Sequence, residues 1–198
     1  MHKPSITAHA GALNTTDNTI ESVRAALACG ADIFEVDVRF LVDGTPALGH
    51  NHVGPGSARL EEVFALMQDS STQINLDMKE TSHVPHMAEL VVQYGLQGRA
   101  FMTGLFKADC AVLRDCGLPY YLNGADPALA KDLGALGVNI NYRQCTKKLV
   151  RDAHELGLLV SVWTANSPRT MRKMLRRGVD NITTRHPDVL LEIIAHDA

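Results

Sequence analysis

Apolar and polar positions along the chain keep switching between two periods. Short apolar or strictly alternating runs, suited to strands, are followed by stretches whose apolar residues recur every three or four positions, suited to helices. In order, the pattern predicts strands over 5–9, 33–40, 46–49, 73–79, 100–104, 119–122, 138–142, 158–164 and 181–184. It predicts helices over 19–29, 59–68, 84–94, 107–115, 127–136, 147–156, 168–177 and 188–195. Asn18 or Asp17 is a plausible N-cap for the first helix and Gly30 its stop. Gly95, Gly117, Gly137, Gly157 and Gly178 follow later helices as left-handed stops. Such alternation implies a parallel sheet with helices outside it. About eight strand–helix units of roughly 25 residues each favour a closed (β/α)8 barrel, a TIM barrel, over an open sheet. The expectation is one α/β domain, 1–198, small for that architecture.

The segment Ile33–Phe40 alternates most strictly. Ile33, Glu35, Asp37 and Arg39 share one face, and Phe34, Val36, Val38 and Phe40 share the other. The second face is a packing surface. The first places two carboxylates about 6–7 Å apart along the strand, with a guanidinium beyond them. Taken alone, the pattern equally suits a half-exposed strand whose charges face water.

Composition narrows the class. Apolar residues make up 45% and charged residues 21% of the chain, ordinary for a globular protein. A formal net charge of −3 and the lack of a dense basic run argue against a nucleic-acid partner. No apolar run approaches the ~20 residues that span a bilayer, so no stable membrane insertion is expected. The four cysteines, Cys29, Cys110, Cys116 and Cys145, form no Cys-x-x-Cys pair, which suits reduced thiols. No signal-peptide pattern is visible at Met1–Ser5, and the expected location is cytoplasmic.

In a parallel barrel, chemistry gathers at the C-terminal strand ends. There the chain carries His9, then Glu35 and Asp37, then His50 and His52, then Asp77 and Lys79, and Trp163. Three carboxylates on one mouth are costly without neutralisation, and a divalent cation supplies it. Oxygen-only ligation suits Mg²⁺ or Ca²⁺ better than zinc. His52 fits a surface residue of a short loop better than a ligand. Trp163 suits an aromatic wall for a glycerol or headgroup, with a core position nearly as apt.

His9-Ala10-Gly11, Asp17-Asn18-Thr19 with Glu21, Gly30-Ala31-Asp32 leading into Glu35-x-Asp37-Val38, Asp43-Gly44, Gly49-His50, Leu76-Asp77-Met78-Lys79 and Val162-Trp163-Thr164-Ala165-Asn166 occur in that order. With Gly178–Thr184 and Pro187-Asp188 they resemble the motifs of the glycerophosphodiester phosphodiesterase family over nearly the whole chain. The resemblance implies a TIM barrel that hydrolyses a small glycerophosphodiester-type substrate with a divalent metal. It assigns Glu35, Asp37 and Asp77 to the metal, His9 and His50 to a general acid/base pair, and Lys79 to the phosphate. It also implies initial attack by a neighbouring substrate hydroxyl, giving a cyclic phosphate.

The chain departs from the family pattern in several places. Ala10 replaces the arginine of the usual His-Arg-Gly, a residue suited to a bidentate phosphate clamp. Arg39 is the stand-in that strand alternation suggests. Asn51 follows His50 where an acidic residue is common, and Asp77 is one methylene shorter than the usual Glu. Only about ten residues separate His50 from the next predicted helix, so the capping insertion is short and the site should be open. Two other readings stay in play: a sphingomyelinase D-like phosphodiester lyase, and a catalytically weak barrel that binds a phosphorylated ligand. The oligomeric state has no signature in the sequence.

Overall fold

A computed structural model describes residues 3–109 and 117–197. Eight parallel strands close into a barrel: β1 (Ser5–Ala8), β2 (Ile33–Phe40), β4 (Gln73–Met78), β5 (Ala100–Leu105), β6 (Tyr120–Asn123), β7 (Gly137–Asn141), β8 (Leu159–Trp163) and β9 (Asn181–Thr184). Closure comes from β1, which pairs in parallel with β9 on one side and β2 on the other. A ninth strand, β3 (Pro46–Leu48), runs antiparallel on the end of β2, with Val38 opposite Leu48 and Phe40 opposite Pro46. The Asp43-Gly44 turn delivers it, and His50 follows it at the barrel mouth. The single-domain TIM barrel expected from alternation is the fold observed.

The outer ring is α1 (Ile20–Ala28), α2 (Leu60–Leu66), α3 (Val84–Gln93), α4 (Pro127–Asp132), α5 (Lys147–Glu155), α6 (Pro168–Leu175) and α7 (Pro187–Asp197). The main core lies between strands and helices. From β2 it receives Phe34, Val36 and Val38, all at most 1% exposed, as the alternation predicts. Burying each of these side chains stabilises the fold by about 1.5–3 kcal/mol. Inside the barrel the bottom is plugged by a small cluster of Ile33, Phe101 and Tyr121. Above it the interior is polar and internally satisfied. The Thr7 hydroxyl donates to Asn181, Asn181 donates to Ser161, the Thr103 hydroxyl oxygen lies 2.8 Å from the Asn75 side-chain oxygen, and Asn139 donates to Asn123. Such pairing offsets the cost of burying these groups.

Two local expectations need correction, and a third falls mostly outside the described residues. The N-cap of α1 is Thr19, whose hydroxyl accepts from the Ser22 amide while Ser22 Oγ accepts from the Thr19 amide. Asn18 and Asp17 are used elsewhere. Helix α4 ends at Asp132, capped by Leu133, not at Leu136, and Gly137 opens β7. A Cβ at Gly137 would lie 2.0 Å from the Leu159 carbonyl oxygen, so a close strand approach explains that glycine. The helix expected over 107–115 begins as a single 3-10 turn, Lys107–Asp109, and its remainder lies outside the described residues, as do Cys110 and Cys116. Cys29 and Cys145 are free thiols. No described helix is long and apolar enough to cross a membrane.

Candidate active site

Strand register builds an acidic centre. Asp37 of β2 lies directly opposite Asp77 of β4, and Glu35 is two residues deeper on the same inner face. Oxygen atoms of Glu35, Asp37 and Asp77 all fall within 4.8 Å of one another. Each acid also accepts a bond from a different neighbour. Glu35 Oε2 takes the Ala10 amide at 2.9 Å, Asp37 Oδ2 takes Asn18 Nδ2 at 2.7 Å, and Asp77 Oδ1 takes the Thr103 hydroxyl at 2.9 Å. Partners of this kind fix carboxylate rotamers.

The charge balance favours a cation there. Burial, with the charges of Asp77 and Asp37, pushes the Glu35 carboxyl well above the usual carboxylate range. Lys79 Nζ bridges Asp37 Oδ1, at 2.8 Å, and Asp77 Oδ2. Burial lowers the lysine's pKa, but the Asp77 charge and its bonds to both aspartates outweigh this and leave it raised. One ammonium thus faces three acidic side chains. A donor set of clustered oxygens with a deficit of positive charge fits a hard divalent ion.

Two imidazoles flank this centre. His9, after β1, is held by its amide bond to the Thr184 carbonyl, and its Nδ1 donates to the Ala10 carbonyl at 2.7 Å. That bond places the proton on Nδ1 and the free lone pair on Nε2. Burial lowers the His9 pKa, partly opposed by the Ala10 bond, and the Arg185 charge lowers it further. His50 is exposed, with Nδ1 2.9 Å from the Asn51 side-chain oxygen.

A cavity of about 530 Å³ covers the acids. Its lining includes His9, His50, Lys79, Trp163 and Phe106. Trp163, at the end of β8, is 36% exposed and forms one aromatic wall. Phe106, after β5, forms another. A wider groove of about 1310 Å³ adjoins it and shares His9, Asp37 and His50. Asp17, His52, Arg59 and Arg185 line this outer lobe, and the short 49–58 loop is its edge. The two histidines therefore stand at the junction of two spaces.

Arg39 takes a different path. Its Nε donates to the His50 carbonyl at 3.0 Å and its Nη1 lies 3.9 Å from Glu80. It braces the backbone that carries His50 and lines neither cavity.

Sequence reasoning missed Asn18, Thr103, Phe106 and Arg185. Asn18 grips Asp37 twice, because its Oδ1 also accepts the Asp37 amide at 2.9 Å. Its φ of +59° provides a signal in hindsight, since asparagine tolerates the left-handed region better than most residues. Thr103 and Phe106 reach the site through strand β5, in a stretch where no motif was visible.

Comparison with known proteins follows the same outline. The sequence matches the family described as Glycerophosphoryl diester phosphodiesterase over residues 9–85 and 119–189. The glycerophosphodiester phosphodiesterase of Caldanaerobacter subterraneus subsp. tengcongensis is 23% identical, over 97% of this chain and 98% of that protein. The crystal structure of a glycerophosphodiester phosphodiesterase from Parabacteroides distasonis superposes with a TM-score of 0.88 at 20% identity, covering 99% and 98% of the two chains. An Oleispira antarctica phosphodiesterase, solved with the product sn-glycerol-3-phosphate, gives a TM-score of 0.78 at 16% identity, covering 97% of each chain. At these identities the structural likenesses bear on the fold.

Proposed function

We propose, for a chain that belongs to the glycerophosphoryl diester phosphodiesterase family, that it hydrolyses a glycerophosphodiester to a phosphomonoester and an alcohol with a divalent metal. Membership makes it a phosphoric diester hydrolase. The observation that supports the finer reading best is the convergence of Glu35, Asp37 and Asp77 beneath two imidazoles in one cavity. These three carboxylates would hold Mg²⁺ or Ca²⁺, which when bound supplies Lewis-acid charge to the phosphoryl oxygens.

The chain's own residues do the rest. A phosphodiester is anionic and repels nucleophiles, so an ammonium at its oxygens lowers the barrier. Lys79, held at the cavity floor by Asp37 and Asp77, is the ammonium placed for that. His9 is the general base. Its burial favours the neutral form, and its Nδ1 bond to Ala10 turns the Nε2 lone pair outward to the attacking hydroxyl or water. As that oxygen bonds to phosphorus, its proton passes to His9. The phosphorus–alkoxide bond breaks, and His50 protonates the departing oxygen. With water as the attacker this gives the phosphomonoester and the alcohol directly. With the substrate's own hydroxyl it gives a cyclic phosphate and the alcohol. Water then opens the ring to the phosphomonoester, His50 taking the water's proton and His9 returning its own to the ring oxygen released. Trp163 and Phe106 wall the inner lobe, which suits the glycerol moiety, and the wider outer lobe suits the leaving alcohol. The product in the O. antarctica structure, sn-glycerol-3-phosphate, is the phosphomonoester such a reaction releases.

The test is turnover of glycerophosphocholine, glycerophosphoethanolamine and bis(p-nitrophenyl) phosphate by wild type, His9→Ala and His50→Ala with Mg²⁺ or Ca²⁺. Loss of about 10²–10⁴-fold in either histidine variant supports the mechanism. Full activity in His9→Ala refutes it. Binding of the diester by wild type without turnover replaces the hydrolase with a phosphoester-binding barrel.

A further inference from the structure

The strand end that carries His9 brings no cation to the groove. Ala10 is buried and gives its amide to Glu35, while Arg39 is committed to the His50 carbonyl and Glu80. A guanidinium nevertheless stands beside the imidazoles. It belongs to Arg185, the residue after β9, far away in sequence. Barrel closure makes the two ends neighbours: Ala8 is in register with Thr184, so the residues that follow, His9 and Arg185, emerge side by side. Both line the outer groove, together with His50 and Asp37.

The Arg185 backbone is pinned on both sides. Its amide donates to Asn166 Oδ1 at 2.9 Å and its carbonyl accepts from the Leu13 amide at 3.0 Å. The side chain is braced too. Nη1 and Nη2 form a two-toothed pair with the Asp17 carboxylate, and Nη1 also approaches the Gly11 carbonyl at 3.4 Å. The guanidinium bond holds the Asp17 carboxyl below the usual carboxylate range.

A guanidinium has five N–H donors in a rigid fork. Asp17 takes one from each terminal nitrogen and Gly11 takes the second on Nη1. The Nε–H and the second Nη2–H remain, and by the geometry of the group they lie together on one edge. That edge matches two oxygens of a phosphoryl group. Asp17 occupies the other edge and orients this one in advance, so little side-chain freedom is lost when an anion binds. The salt bridge alone is a half-exposed pair that adds little stability, a small return for a residue anchored at so many points.

We infer that Arg185 is the phosphate-clamping guanidinium of this site, presented by the strand next to the one whose motif lacks it, with Asp17 as its positioning partner. The inference rests on the phosphodiesterase reading and adds a residue to it. It implies that the phosphoryl group binds at the junction of the two lobes, between His9 and Arg185, with Lys79 on the acidic side.

The experiment compares wild type with Arg185→Ala, Arg185→Lys and Asp17→Ala in metal-saturating buffer. It measures kcat/KM on glycerophosphocholine and, separately, the affinity for inorganic phosphate by calorimetry. Arg185→Ala should lower kcat/KM by about 10²-fold and weaken phosphate binding by about tenfold. Arg185→Lys should recover only part of both, since an ammonium cannot fork. Asp17→Ala should cost less than Arg185→Ala on both readouts. A purely structural tie between loops predicts equal effects for Asp17→Ala and Arg185→Ala and an unchanged phosphate affinity, and that pattern overturns the inference. So does an Arg185→Ala enzyme within about threefold of wild type. If Arg185→Ala does not fold, Arg185→Lys decides: wild-type phosphate affinity and turnover in it exclude a forked contact. Absence of wild-type turnover would instead strike the phosphodiesterase reading itself.

Discussion

Asn18→Ala separates the support of the acidic centre from the centre itself. Asn18 donates to Asp37 Oδ2 at 2.7 Å and accepts the Asp37 amide at 2.9 Å, from a left-handed backbone at φ +59°. The first bond is charge-assisted, worth about 1.5–3 kcal/mol net. The second leaves an amide unpaired on removal, at about 1–3 kcal/mol if water cannot reach it. Alanine in the left-handed region adds about 1–2 kcal/mol. Water at the open mouth replaces part of this, so the expected loss is about 3–4 kcal/mol in metal-free protein, read by urea unfolding in EDTA. Asn18→Gly, which removes the backbone penalty and keeps the lost bonds, should recover about 1 kcal/mol. The decisive readout is metal affinity. With Asp37 held by Lys79 alone, the Mg²⁺ or Ca²⁺ midpoint for thermal stabilisation should rise about 10–100-fold in both variants. An Asn18→Ala protein with a wild-type metal midpoint would refute the claim that this side chain sets the Asp37 carboxylate.

Glu35→Gln should raise the metal-free melting temperature and erase stabilisation by added metal. The folded pKa of Glu35 lies above its ordinary value of 4.5, so its contribution is full below that pH and is lost as pH rises through the folded value. The metal-free wild type should therefore weaken as pH rises above 4.5 more steeply than Glu35→Gln, and parallel slopes would contradict this. Gly104→Ala should unfold at markedly lower temperature and lose metal response. Its φ is +79°, and a Cβ would lie 2.2 Å from the Met78 carbonyl and 2.7 Å from Asp77 Oδ1; a well-folded variant with normal metal binding would show that this approach can relax. Tyr121, buried in the barrel plug, has its phenol pushed up to about 12 by burial. Its contribution is complete below the ordinary value of 10.0 and disappears as pH rises to about 12, a change of up to about 2–3 kcal/mol. Alkaline unfolding should be shallower in Tyr121→Phe, and an unchanged slope would place the sensitivity elsewhere.

Much of the architecture is legible because strand and helix periods alternate so regularly, and because β2 shows two unlike faces in eight residues. That alternation puts Glu35 and Asp37 together on the face opposite the packing surface, and it takes the neighbouring strand-end residues to tell a site from a water-facing edge. What linear reading loses is neighbourhood across the barrel. Arg185 stands by His9 only because β9 closes onto β1, and no spacing along the chain encodes that closure. Arg39 illustrates the converse: its face follows from alternation, but β3, folded back on β2, brings the His50 carbonyl within reach of its side chain and takes it up. Asn18 looks like a helix cap by position. The Thr19–Ser22 exchange satisfies the helix end, and Asn18 is left to bind Asp37 through a tertiary contact that local rules do not weigh. The inner asparagines are similarly silent in sequence. Asn75, Asn123, Asn139 and Asn181 read as isolated polar residues in strands until register pairs them with partners inside the barrel.

The central claim is that the Glu35, Asp37 and Asp77 centre holds the divalent ion on which phosphodiester hydrolysis depends. The direct measurement is a ³¹P NMR time course of glycerophosphocholine with metal-stripped wild-type and Asp77→Asn protein, before and after Mg²⁺ or Ca²⁺ is restored. The account predicts a static diester signal in the stripped wild type, conversion to a phosphomonoester signal once metal is added, and no comparable recovery in Asp77→Asn. Undiminished conversion in excess EDTA, or full recovery in the variant, would contradict it.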